Sequence, residues 1–96
     1  MILVWLRSAI SDRDAQLDYI AQDNPRAAIE QGDSIAHQVA QLVNNPGMGR
    51  AGRKQGTREQ VIGRTPFIVI YRITGTHIEL LRVLHGAQQW PKEVTK

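Results

Sequence analysis

The sequence predicts an α+β domain in which an N-terminal strand and an antiparallel helical hairpin pack on a mostly antiparallel four-stranded sheet. Three observations predict it. A short apolar, β-prone run opens the chain at Ile2-Leu3-Val4-Trp5-Leu6. Residues 8–44 then carry apolar side chains at helical spacing, broken once by Asp23-Asn24-Pro25. From Thr57 onward, three β-prone runs alternate with the turn sequences Gly63-Arg64-Thr65-Pro66 and Thr74-Gly75-Thr76. Helices first and strands afterwards mean segregated layers, because each element must bury its apolar face against another.

The first helix is expected from a Ser8 cap to about Gln22, with Ile10, Leu17, Ile20 and Ala21 on its apolar face and Asp12, Asp14 and Asp18 on the others. Asn24 is a good N-cap for the second helix. Pro25 suits its first position, where the missing N–H costs nothing. That helix is expected to reach about Asn44, with Ala28, Ile35, Val39 and Leu42 along one stripe. The very short connection makes the two helices an antiparallel hairpin. Residues 45–56 hold four glycines, one proline and the cations Arg50, Arg53 and Lys54, and are expected to form a loop. Strands are expected at Thr57–Ile62, Phe67–Ile73 and His77–His85. The nearly unbroken apolar run Phe67–Tyr71 marks a central strand covered on both faces.

The 96 residues suffice for one domain, 1–96, and neither a repeat nor a linker divides them. At this length about two-thirds of the unfolded surface can be buried, so a modest core needs no staples. The absence of cysteine excludes disulfides and thiolate metal sites and fits a cytoplasmic location. The opening run is too short for a membrane span and lacks the flanks of a signal peptide, so no membrane association is expected. Charge is unevenly divided. Residues 1–45 carry three arginines against six acids, and residues 46–96 carry nine Lys/Arg against three acids. The basic half should face an anionic partner, either nucleic acid or an acidic protein segment.

The chain resembles the RelE/ParE toxin superfamily of type II toxin–antitoxin systems over nearly its whole length. The resemblance is carried by Trp5 to Ala9, Tyr19-Ile20-Ala21 before Asp23-Asn24-Pro25, and the loop Asn45-Pro46-Gly47, Gly49-Arg50, Gly52-Arg53. It continues through Gly56-Thr57-Arg58-Glu59, Pro66 to Arg72, and Arg82-Val83-Leu84-His85-Gly86-Ala87. No single piece is specific, but their order and spacing are. The resemblance implies a toxic activity and neutralisation by a cognate antitoxin. It implies no cofactor and no metal, and no sequence-specific DNA binding without the antitoxin.

Within that superfamily, RelE-like members cut mRNA on the ribosome and ParE-like members inhibit DNA gyrase. A metal-free ribonuclease must activate a 2′-OH, offset phosphorane charge and protonate a leaving oxygen. RelE-like toxins use strand-two lysines, a strand-three arginine, and an arginine and a tyrosine near the C-terminus. Aligned through Tyr71 and His85, this chain has Glu59 and Val61 at the lysine positions and Ile68 near the arginine. Gln88-Gln89-Trp90-Pro91-Lys92 offers neither arginine nor tyrosine. The resemblance therefore points nearer to ParE, with DNA gyrase as partner. The alternative is a ribosome-dependent mRNA endonuclease built on Arg58, Arg72, Arg82 and His85, whose alternate strand positions could converge on one face. Against it, the strand arginines can simply pair with Glu59 and Glu79. Target contact is expected from Arg50, Arg53 and Lys54; Trp90 either clasps the core or serves as an aromatic anchor for target or antitoxin.

Overall fold

The computed structural model describes residues 1–86. Strand β1 (Ile2–Trp5) leads into helix α1 (Arg7–Asp23) and helix α2 (Pro25–Ala40), which tightens into a 3-10 turn at Gln41–Val43. The short strand β2 (Arg50–Ala51), β3 (Arg58–Val61), β4 (Phe67–Thr74) and β5 (His77–His85) follow. The sheet order is β1-β5-β4-β3-β2, with β1 parallel to β5 and every other pair antiparallel.

The α+β class and the hairpin-on-sheet arrangement agree with the sequence, but the sheet has five strands where four are expected. The fifth is β2, inside the stretch expected to be loop throughout, where Arg50 pairs with Glu59 and Ala51 with Arg58. Two residues among glycines show no alternation, so only the neighbouring strand reveals them.

The break between the helices is built as the sequence predicts. Asn24 Oδ1 accepts the Ala27 N–H at 3.1 Å, and Pro25 occupies the first helical turn. The expected Ser8 cap is absent. Leu6 is the N-cap and offers no side-chain bond, while the Ser8 hydroxyl donates to Leu81 O at 2.6 Å. Helix α2 ends at Ala40, four residues before the expected end.

Ala28, Ile35, Val39 and Leu42 are all buried, as the α2 stripe requires. Of these, Ile35, Val39 and Leu42 join Ala9 in meeting Phe67, Val69, Tyr71, Ile78, Leu80 and Val83 on one face of the sheet. Burial of each large side chain there contributes about 1.5–3 kcal/mol. On the other face Ile70, Leu81 and Leu84 form a second cluster with Leu6, so β4 is covered on both sides. A bulge divides β5. Ile70 pairs with Arg82 and Tyr71 with Leu80, leaving Leu81 as the extra residue. Expected on the core face of α1, Ile10 is instead 37% exposed, and Ala9 is the buried residue. The β3–β4 turn is pinned to α2 by Gln38, whose amide exchanges two hydrogen bonds with Gly63 at 2.8 and 3.1 Å. Beside it Arg64 sits at φ 67°, a conformation rare outside glycine. Among the described residues, no helix is long and apolar enough to cross a membrane.

Candidate functional site

The basic stretch is held to the sheet by three side chains. The Tyr71 hydroxyl lies at the rim of the core, accepts the Gly49 N–H at 2.9 Å and donates to Pro46 O at 2.7 Å. Arg58 Nη1 donates to Gly49 O at 2.7 Å and to Gly47 O at 3.3 Å. Glu59 is only 3% exposed. Its Oε1 accepts from Arg50 Nε and Nη2 at 3.1 and 2.9 Å, and its Oε2 accepts the Arg53 N–H at 3.1 Å. A buried carboxylate is tolerable only when so satisfied. Gly49 is required by contact: a Cβ there would stand 2.6 Å from the Tyr71 hydroxyl and 2.9 Å from Glu59 O. The glycines that suggest slackness in the sequence thus permit close approach.

The outer edge of β5 is closed differently. Strand β1 reaches only to the Trp5–Leu80 pair. Beyond it, side chains of α1 bond the strand's backbone: Ser8 to Leu81 O, Asp12 Oδ2 from the Val83 N–H at 3.0 Å, and Gln16 Nε2 to Val83 O at 2.7 Å. The spacing of four residues puts Ser8, Asp12 and Gln16 on one face of the helix. Asp12 also accepts Arg82 Nε at 2.6 Å and Nη2 at 3.0 Å. The Asp12 hydrogen bond raises the Arg82 pKa above its ordinary value, with the carboxylate's charge adding to it and burial opposing it. Stability from this pair is therefore complete below the ordinary arginine pKa and lost only above it, so Arg82 is charged at any working pH.

The three strand arginines and His85 do not assemble. Arg58 lies opposite Tyr71, on the hairpin side, and is spent on loop carbonyls. Arg72 and Arg82 lie on the other face with Ile70, and Arg72 pairs with Glu79 at 2.6 Å. His85 lies opposite Phe67, edge-on to its ring at 6.1 Å, back on the hairpin side. The Arg72–Glu79 pair is one that the sequence suggests. The Asp12–Arg82 pair joins residues 70 apart and is not. The signal that could have found it is the polar repeat Ser8, Asp12, Gln16 on a helix with no strong apolar stripe.

Glu59, Val61 and Ile68 share the face away from the hairpin. Glu59 lies opposite Ile70, Val61 opposite Ile68, and Ile68 opposite Leu84. Val61 is 47% exposed and Ile68 is buried. Among the described residues, this face therefore offers aliphatic surface and arginines paired with carboxylates. Among the described residues, no group of three His, Asp or Glu side chains could hold a metal. On the hairpin side, an apolar groove of about 340 Å³ runs between α1 and the β4 start, lined by Ala15, Tyr19, Ile20, Pro66, Phe67 and His85, among others. The expected anchor Trp90 lies outside the described residues.

A small domain in which a strand, a helical hairpin and a sheet follow in this order, with a strapped basic loop, has the architecture of the RelE/ParE toxins. Comparison with known proteins places it further. Residues 3–90 match the family model described as ParE toxin of type II toxin–antitoxin system, parDE. A toxin-named protein of Sinorhizobium fredii, Y4kP, is 39% identical over 88 residues, which span 92% of this chain and 91% of that protein. Toxin RelE1 of Caulobacter vibrioides is 29% identical over 90 residues, 92% of this chain and 95% of that one. Among solved structures, a chain of the chromosomal ParDE toxin–antitoxin system from P. aeruginosa superposes with a TM-score of 0.81 at 34% identity, covering 88% of this chain and 95% of that one. The chain belongs to the ParE toxin family of type II toxin–antitoxin systems.

Proposed function

We propose that this toxin acts without catalysis in the cytoplasm, by binding DNA gyrase, and that a cognate antitoxin neutralises it. The observation that carries the reading is the sheet face away from the hairpin. Val61 and Ile68 stand at two of the positions where a RelE-like nuclease needs cations, and Glu59 stands at a third. The arginines nearby are held by Asp12, Glu59 and Glu79. General acid–base catalysis needs a group poised to exchange a proton with substrate, and paired guanidiniums are poor candidates. The solved ParDE relative supports an antitoxin partner. The apolar groove beside Tyr19 suits an amphipathic segment of that partner, and the exposed outer edge of β1 suits an added strand.

The test is induction of the toxin without antitoxin, together with a supercoiling assay on purified gyrase. The expected result is filamentation with a DNA-damage response and inhibited supercoiling. Site-specific cuts of ribosome-bound mRNA, lost in Arg82→Ala, would overturn this reading in favour of a ribonuclease.

A further inference from the structure

We propose that the strapped loop and the depression beside it dock an acidic, apolar-anchored protein segment, and that Glu59 and Tyr71 are the positioning residues of that surface. The proposal rests on the reading of the chain as a binding toxin and names what it binds with.

Residues 50–59 contain four cations and one carboxylate, and that carboxylate is buried. Glu59 turns Arg50 back onto the sheet and fixes the backbone at Arg53. Both Arg53 and its neighbour Lys54 are exposed. Two aliphatic side chains accompany these cations. Met48, 43% exposed, lies between the two carbonyls that Arg58 holds. Ile73, 42% exposed, lines with Ala51, Thr57 and Arg58 a depression of about 290 Å³.

This combination selects among anionic partners. A single-stranded nucleic acid needs aromatic platforms for its bases, and no aromatic side chain lines the depression. Exposed cations on a loop that borders an apolar depression instead match a protein segment carrying both carboxylates and an apolar anchor. The straps matter because a loop already held in its binding geometry loses less entropy when it docks.

The experiment uses the full chain and three labelled probes followed by fluorescence anisotropy. One is a short amphipathic peptide of glutamate and leucine, one is the same peptide with lysine for glutamate, and one is a single-stranded DNA oligonucleotide. The acidic peptide should bind best, more weakly as salt rises, and at least about tenfold more weakly to Arg53→Glu/Lys54→Glu. Lys54→Glu alone should give part of that loss, and a melting curve on each variant confirms folding. Tyr71→Phe should weaken binding while the charges stay unchanged. Preference for the oligonucleotide or the basic peptide, or acidic-peptide binding indifferent to the charge reversal, overturns the proposal. The supercoiling assay separates it from the gyrase reading. A charge-reversed variant that still inhibits gyrase removes the docking surface and leaves gyrase as target. Charge-sensitive peptide binding by a wild type that does not inhibit gyrase does the opposite.

Discussion

The stretch of β5 beyond β1 and the β2 end of the sheet solve one problem in opposite directions. At β5, helix side chains reach out and bond strand backbone: Ser8, Asp12 and Gln16 meet Leu81 and Val83 where β1 has ended. At β2, strand side chains reach out and bond loop backbone: Tyr71, Arg58 and Glu59 meet Pro46, Gly47, Gly49 and Arg53. An open strand edge is a template for unwanted pairing, and the first device covers it with groups that no incoming strand can easily displace. The second leaves its surface exposed and controls its shape. Similar hydrogen bonds thus close the free stretch of β5 and hold the β2 end on display.

Breaking the β5 edge should have the largest effect. Asp12→Ala removes three hydrogen bonds and leaves the Arg82 guanidinium and the Val83 N–H without this acceptor. The expected loss is about 2–3 kcal/mol, read by chemical denaturation. Asp12→Asn sharpens the point, since one oxygen can still serve Val83 while the ion pair is gone, and its loss should fall between wild type and Asp12→Ala.

Gly49→Ala attacks the other end by volume. The new methyl would collide with the Tyr71 hydroxyl and Glu59 O, so the loop must lift. Overpacking of this kind costs about 1–3 kcal/mol. The diagnostic result is a larger proportional loss in growth inhibition than in melting temperature. Equal losses would mean that the loop is only structural.

Tyr71→Phe is gentler because the ring keeps its place in the core. Only the hydroxyl that bridges Gly49 and Pro46 disappears, at about 1 kcal/mol for each of the two hydrogen bonds, one buried and one part-buried. If the β2 end exists for display, this variant should stay folded and lose toxicity. Retained toxicity in a folded variant would show that the strap is dispensable.

Lys54→Ala should change stability least, within about 0.5 kcal/mol, because the side chain is exposed. Any clear fall in melting temperature would assign Lys54 to the fold and not to the displayed surface.

The legible parts of this protein are those governed by local chemistry. Asn24-Pro25 announced a helix start because capping and a fixed proline φ act within one turn. The α2 stripe Ala28, Ile35, Val39, Leu42 could be read because one face of a helix repeats in the sequence. The same logic held only in part on α1. Leu17 and Ile20 pack against the core, but Ile10 is exposed, and the face carrying Ser8, Asp12 and Gln16 meets a strand edge, so Ser8 reads as a cap when it serves Leu81 instead.

Composition and motif order by themselves determined the layer order, the charge asymmetry, the family resemblance and the lack of cations at Val61 and Ile68. Only the tertiary structure decided which charges are neutralised. Asp12 and Arg82 are 70 residues apart, and the β5 bulge and the crossing of α1 bring them together. Glu59 and Arg50 face each other because a two-residue strand that carries no sequence pattern pairs there. A sequence lists charges along one dimension, but a guanidinium's chemistry depends on what stands within about 4 Å of it, and chain folding sets that distance.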